Sequence, residues 1–463
     1  MALNYLKNAN NDWFIGYENQ QINQVAEQLY LELSQLLQQG ITPKIILAQS
    51  EPVTFIASFI AACTAGCPVF LCNPNWVNQE WQQVFELVQP NLIWSDRPEI
   101  KKQKVYPIQT LNSHLQNRIM IPTGGSSGKI RFAIHTWDTL SASVQGFQEY
   151  FQVKKINSFC VLPLYHVSGL MQFFRSFTTN GKLINLSFKT VETGEIPDID
   201  PTDFFISLVP TQLQRLLQNP ALADWLSRFK TVLLGGAPAW EELLEQARNY
   251  GIRLAPTYGM TETASQIATL KPEDFLNGVN NCGKILPHAK VSILSPTNQI
   301  LETNRIGIVT VEAKSLALGY YPNSFTQKPF KLDDLGYFDD KGYLNIIGRN
   351  SNKIITGGEN VYPTEVEAAI RATNLVNDVC VIGKSDPNWG QAVTAIYVPR
   401  DISVTPDTIK AAIADKLSKF KQPKYWIELE NLPRNYQGKI NRLQLLQIAT
   451  LHPNPSQLAS SDS

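Results

Sequence analysis

Net charge is what this 463-residue sequence lacks, its 40 basic residues offsetting 40 acidic ones. Without an excess of one sign there is no long-range field for gripping nucleic acid or an anionic membrane surface, so any phosphate recognition must be local. Cysteine is scarce, six in all. The close trio Cys63, Cys67 and Cys72 has neither the two-residue nor the histidine-paired spacing of a zinc or iron–sulfur site. Together with Cys160, Cys282 and Cys380 they are expected as buried thiols in a reducing compartment. Residues 1–14 lack the basic start and apolar core of a signal peptide, so a cytoplasmic location is expected. Internal repeats are absent.

Long apolar runs are few. Val53–Cys72 is uncharged and about long enough to span a bilayer, but its punctuation argues otherwise. Lys44–Ser50 has the character of a strand, Glu51–Gly66 of a buried helix and Cys67–Cys72 of a second strand, which together describe a βαβ unit of a parallel sheet. No integral membrane segment is expected.

With 43% hydrophobic residues the chain can bury more than one core and is too long for a single one, so two or three units are expected. From Lys44 to about Ile347, β-rich runs such as Ser158–Leu162, Phe204–Leu208 and Thr231–Leu234 alternate with helical patterns such as Gln212–Gln218 and Ala239–Tyr250. Between Val291 and Ile347 the texture changes to short alternating strands, Val291–Leu294, Gly307–Glu312 and Gly342–Gly348, suggesting an antiparallel or barrel-like subdomain. Beyond Arg349, Pro363 opens a helix, and Cys380–Ile382, Val393–Val398 and Tyr425–Leu429 have strand character. The expected fold is therefore α/β. Residues 1–349 form a large N-terminal domain of layered α/β subdomains plus a β-barrel-like subdomain. Residues 350–452 form a small α+β C-terminal domain, and 453–463 a polar, proline-bearing, disordered tail.

The first segment with chemical content is Thr123-Gly124-Gly125-Ser126-Ser127-Gly128-Lys129, followed by Arg131. Its amides and hydroxyls can face a phosphate chain beside nearby cations. It fails the Walker A pattern, because three residues separate Gly124 from Gly128 and Ile130 follows Lys129. It formally satisfies the nucleophile-elbow pattern around Ser126, and a surface turn remains an equal reading of the segment taken alone.

Its company is more specific. Gly235-Gly236-Ala237-Pro238 and Pro256-Thr257-Tyr258-Gly259-Met260-Thr261-Glu262 each follow an apolar strand. Phe330–Gly336 precedes Ile347-Gly348-Arg349, and Thr356–Glu367 and Pro433–Arg442 come after. In this order the segments resemble those of the acyl-adenylate-forming superfamily, which includes acyl-CoA synthetases, firefly luciferase and peptide-synthetase adenylation domains. The resemblance covers nearly the whole chain. Leu162–Gly169 and Leu208–Leu213 look most like the o-succinylbenzoate–CoA ligases of menaquinone and phylloquinone synthesis.

The resemblance implies ATP and CoA as cosubstrates, Mg²⁺ as cofactor and a small carboxylic acid as the group activated. It assigns ATP binding to Thr123, Gly124, Gly125, Ser126, Ser127, Gly128 and Arg131. Gly235, Gly236 and Ala237 would let adenine approach the backbone, Tyr258 with Gly259 would stack on it, and Thr261 would contact phosphate. Asp334 would accept from the ribose hydroxyls, assisted by Arg349. Glu262 would hold Mg²⁺. His166, Ser168, Arg175 and Thr211 would line the acid pocket, with Arg175 answering a second carboxylate, although a helix-surface arginine reads equally well there. Gly357, Gly358, Trp389, Phe420 and Lys424 would lie near CoA. Lys439 would bridge the attacking carboxylate and the α-phosphate.

Rotation of the mobile C-terminal domain about a hinge at Ser351 would exchange Lys439 for the Gly357–Gly358 face between two half-reactions. The sequence departs from the family's pattern in four places around the nucleotide: Gly124 for Ser, Ile130 for Pro, Arg131 for Lys, and Leu332-Asp333 for Thr-Gly. At the hinge, Ser351 replaces Asp or Lys and Asn352 replaces Asp. An aryl or fatty acid CoA ligase of the same superfamily, a ligase loading a carrier protein, a noncatalytic nucleotide-binding homologue and, more distantly, a hydrolase acting through Ser126 are the competing readings. A homo-oligomer is left open.

Overall fold

The computed structural model of the chain describes residues 2, 3, 6, 12–101, 115–124, 130–325, 329–434 and 439–452. The expected βαβ unit is present as Ile45–Ala48, helix Pro52–Ala65 and Val69–Leu71, with the two strands paired in parallel. The Glu51 carboxylate accepts the amides of Val53 and Thr54 at 3.0 and 2.7 Å, satisfying two donors of the first turn. Gly66 ends the helix at φ 71°, and a Cβ there would stand 3.0 Å from Asn117 Oδ1. Every residue from Val53 to Ala62 except Thr54 is buried, which is why this core helix has the composition of a membrane span.

Those strands belong to the first of two seven-stranded sheets, in the order Asn323–Ser324, Gly319–Tyr320, Ile130–His135, Ile119–Gly124, Val69–Leu71, Ile45–Ala48, Leu92–Ser95. The second runs Lys284–Ile285, Ser265–Thr269, Leu254–Met260, Thr231–Leu234, Phe204–Leu208, Asn157–Cys160, Leu183–Asn185. One core joins the facing sides of both sheets. It unites Ile45 and Leu47 with Leu183, Phe205 and Leu233 through Phe55, Phe59, Phe147 and Phe173 of the helices between them. Outer helices cover the remaining faces, with Trp81 and Val84 on the first sheet and Leu213, Trp225 and Leu243 on the second. This is the layered α/β arrangement expected.

The barrel-like subdomain expected from the alternating strands is, among the described residues, an open four-stranded antiparallel ladder of Ala289–Leu294, Gly307–Ala313, Phe330–Phe338 and Leu344–Arg349. Its third strand is not legible as one in the sequence, because Asp334 places a charge at a buried position and breaks the apolar alternation. The last sheet has five strands: Glu359–Val361, Ile354–Thr356, Gly390–Pro399 and Val376–Asp386 in sequence, with Tyr425–Glu428 beside Gly390–Pro399. Helices Pro363–Arg371 and Pro406–Ile413 bury Val366, Ile370, Ile409 and Ile413 on one face, and Arg442–Leu451 buries Leu445 and Ala449 on the other. Among the described residues, no core cluster contains members from both sides of position 350.

The expectation of six buried thiols holds for Cys67, Cys72, Cys160 and Cys380, while Cys63 and Cys282 are half-buried. The expected tail, 453–463, lies outside the described residues. No helix among the described residues is long and apolar enough to cross a membrane.

Candidate active site

The parallel strands Phe204–Leu208, Thr231–Leu234 and Leu254–Met260 end side by side, so the turns that leave their C-terminal ends gather at one edge. Gly235 donates its amide to Leu208 at 3.1 Å, and Gly236 continues at φ 84°, with Val209 Cγ1 3.2 Å from where its Cβ would be. Ala237 is exposed beside it, and Thr211 is half-buried in the first turn of Pro210–Leu217. Gly259 is required by the antiparallel return strand, since a Cβ would stand 2.1 Å from the Ser265 carbonyl oxygen.

Tyr258 and Asp334, assigned to base and ribose, are joined to each other: the Tyr258 hydroxyl donates to Asp334 Oδ2 at 2.6 Å. Asp334 sits opposite Arg349 across the ladder, with Arg349 Nε 3.6 Å from Oδ1. Burial raises the Asp334 pKa, opposed by the Tyr258 hydrogen bond and Arg349 and assisted by Asp333 and Glu262. Burial and the Asp334 charge together raise that of Tyr258 well above the usual phenol.

Glu262 lies in the short turn Thr261–Thr263 and is buried. Two residues that the sequence did not single out build this corner. Tyr320 donates its hydroxyl to Glu262, while Arg131 packs over its ring at 4.3 Å, linking strand Ile130–His135 to the carboxylate. The imidazole Nε2 of His135 lies 2.8 Å from the Thr261 carbonyl oxygen and Nδ1 3.0 Å from Thr139 Oγ1, pinning the turn from below. Burial holds His135 neutral down to about 4. Neither residue stands in a motif; their partners lie 58 and 126 positions away, beyond any spacing rule. Thr123 and Gly124 end strand Ile119–Gly124, paired with Arg131 and Ile130. Gly125, Ser126, Ser127 and Gly128 lie outside the described residues.

His166 is the buried N-cap residue of helix Val167–Thr178. Burial, and then the charge of Lys439, push its pKa down to about 3, so the ring is neutral at physiological pH. Lys439 is desolvated in the same cleft. Burial and Arg349 lower its pKa, and Glu262 and Asp334 pull it back. One ammonium group is thus within the fields of His166, Arg349, Glu262 and Asp334, although the residue as a whole retains an exposed side. Ser168 is half-buried in the first turn of the same helix and accepts Gln172 Nε2 at its carbonyl.

The surface reading of Arg175 is excluded: the residue is 2% exposed. Its Nη2 donates to Gln266 Oε1 at 2.8 Å and to Ser265 Oγ at 3.2 Å, and the guanidinium lies 4.3 Å over the Phe147 ring. Desolvation lowers its pKa to about 9. Among the described residues no carboxylate is ion-paired with it.

The residues assigned to CoA are only partly assembled. Gly357 and Gly358, at φ 57° and 85°, turn between Ile354–Thr356 and Glu359–Val361. The Gly357 amide donates to the Trp389 carbonyl at 2.9 Å, and Lys424 Nζ lies 4.2 Å over the Trp389 ring, which is 44% exposed. Phe420 instead packs against the core of that sheet, with Lys421 as its cation neighbour at 5.8 Å. Ser351 lies in the turn Asn350–Asn352 and donates its amide to Asp333 Oδ1 at 3.0 Å and its hydroxyl to Asp333 Oδ2. Two of the departures from the family's pattern are therefore hydrogen-bonded to each other.

A layered α/β fold whose strand ends gather an aromatic–acid pair, with a buried glutamate and a desolvated lysine beside it, is the arrangement of an AMP-binding enzyme. The chain belongs to the AMP-binding enzyme family: that family's model matches residues 113–321, and the model of the AMP-binding enzyme C-terminal domain matches 365–439. It is 34% identical to the 2-succinylbenzoate–CoA ligase of Listeria innocua over 338 residues, covering 70% of this chain and 68% of that protein. It is 33% identical to the enzyme of the same name from Enterococcus faecalis over 354 residues, covering 74% and 73%. The fold matches that of O-succinylbenzoate coenzyme A synthetase from Bacillus subtilis in complex with AMP, at a TM-score of 0.82 and 24% identity over 96% of this chain and 97% of that one. The structure of the same Bacillus subtilis enzyme with ATP and magnesium ion matches at 0.79 and 23% identity, covering 96% and 98%.

Proposed function

We propose that the chain is an AMP-forming acid–thiol ligase that converts 2-succinylbenzoate, ATP and CoA to 2-succinylbenzoyl-CoA, AMP and diphosphate. The observation that carries the choice of acid is Arg175, a buried guanidinium with no carboxylate partner among the described residues. It is nine positions along the helix from His166, roughly 13 Å at the rise of an α-helix. An acid with a carboxylate at each end suits a site with Lys439 and His166 at one end and an unanswered arginine at the other.

In the first step one substrate carboxylate attacks the α-phosphate of ATP, forming acyl-AMP and releasing diphosphate. Lys439 offsets the repulsion between the two anions. Neutral His166 borders the acyl group, Tyr258 takes the adenine face, and Asp334 takes the ribose. Glu262 suits Mg²⁺, as a buried carboxylate with no ion pair among the described residues and one side turned to Arg131 through Tyr320. The ion would neutralise phosphate charge there. In the second step the CoA thiol displaces AMP, with Gly357, Gly358, Trp389 and Lys424 as its route. We place the division between the two domains at 349 and 350, supported by the lack of a shared core among the described residues. The test is product analysis: AMP, diphosphate and thioester should form in equal amounts with magnesium present, and release of ADP and phosphate would overturn the reading.

A further inference from the structure

Helix Trp137–Phe151 seats an imidazole and a guanidinium on adjacent residues. Gly146 faces His288 so closely that a Cβ would stand 1.8 Å from its Nδ1, and the Phe147 ring carries Arg175 at 4.3 Å. The charge of Arg175 acts on His288, adding to burial in keeping the imidazole neutral down to about 4. Both ring nitrogens of His288 are buried without a hydrogen-bond partner, as are Arg175 Nε and Gln266 Nε2. The Gln266 carbonyl oxygen, in contrast, already accepts from Arg175 and from Ser265 at 3.1 Å. The unpartnered atoms that Arg175 and Gln266 present are therefore all donors, and a neutral imidazole adds one more. Each donor left unsatisfied in a protein interior costs about 1–3 kcal/mol, a cost that a bound acceptor removes. Three such donors beside an arginine without a counter-charge describe a receptor for an anion.

We propose that His288 and Gln266 complete, with Arg175, a chamber for the second carboxylate of the acid, and that these two residues set the enzyme's preference for a dicarboxylate over a monocarboxylate. The proposal rests on the reading of the substrate as 2-succinylbenzoate. His288 acts as a specificity determinant, since the reacting carboxylate lies at the other end of the helix, beside His166 and Lys439. Gly146 belongs to the same device, because any side chain there would displace the imidazole.

The experiment compares kcat/KM for diphosphate release with 2-succinylbenzoate and with benzoylpropionate, the same skeleton without the ring carboxylate. In the parent enzyme the dicarboxylate should be preferred. In His288→Leu and in Gln266→Leu the preference ratio should fall by roughly tenfold, the loss of one hydrogen bond to a charged group, with the KM for ATP unchanged. His288→Asn, which keeps a donor, should recover part of the ratio, and carries the comparison if His288→Leu does not fold. Preference ratios within twofold of the parent in both leucine variants would overturn the assignment while leaving the substrate reading intact. A parent enzyme that does not favour the dicarboxylate would overturn both.

Discussion

Lys439 feels Glu262 and Asp334 as attractive charges and Arg349 as a repulsive one, so its removal should act on charge development during adenylation and little on folding. Lys439→Ala is expected to lower acyl-AMP formation by about two to three orders of magnitude while still converting supplied acyl-AMP and CoA to thioester. Equal loss of both half-reactions in a folded variant would refute its placement over the α-phosphate. Arg175→Ala should raise the KM for 2-succinylbenzoate more than it changes kcat, because its guanidinium lies far from the reacting bond; an unchanged KM would count against it. At this scale the residues with a chemical motif around them were legible: Tyr258, Glu262, Asp334 and Lys439 are brought into one cleft. Tyr320, His135 and His288 were not legible, because a tyrosine on a two-residue strand, a buried histidine and a half-buried one have no local pattern. Only the third dimension puts them against a carboxylate, a turn carbonyl and a guanidinium.

Among elements, the turn Asn350–Asn352 is fixed by a carboxylate from the neighbouring strand, with Asp333 accepting from both the amide and the hydroxyl of Ser351. Any rotation about Ser351 has to break this pair. Asp333→Gly, which restores the family's small residue, should weaken the adenylation arrangement by about 1 kcal/mol. Diphosphate exchange should then slow severalfold while thioester formation from supplied acyl-AMP holds or rises, a split readable by measuring the half-reactions separately. Gly358→Leu should do the reverse, blocking thioester formation and sparing exchange; equal damage to both would argue against a CoA route along that turn. Apolar runs made the buried elements readable: Phe204–Leu208 and Thr231–Leu234 have the bounds expected of them, and Glu51–Gly66 is a helix with its two caps. Strand Phe330–Phe338 escaped because Asp334 puts a charge at a buried position next to the exposed Asp333, which erases the alternation that marks a strand.

Over the whole molecule, two buried histidines and one half-buried one are held neutral, His166 to about 3 and His135 and His288 to about 4. Unfolded, each would titrate near 6.5. As pH falls from about 6.5 to about 4, the unfolded chain takes up protons that the folded one refuses, so stability must fall with falling pH in that window. Asp334, with its raised pKa, works in the opposite direction but is one group against three. Melting temperature should therefore drop steadily between pH 6.5 and 4.5; a flat profile would contradict the buried neutral state. The apolar clusters on the two sides of position 350 share no member. What crosses between the two sides includes a few polar contacts: Ser351 to Asp333, Thr364 to the Ile347 carbonyl, and Arg371 5.2 Å from the Trp240 ring. Heat should thus be absorbed in two steps instead of one in the ligand-free protein, because among the described residues no apolar core ties one side's survival to the other's. ATP would touch both sides at once, and in a calorimeter it should draw the two peaks together, so that a single melting point becomes a property of the occupied enzyme alone.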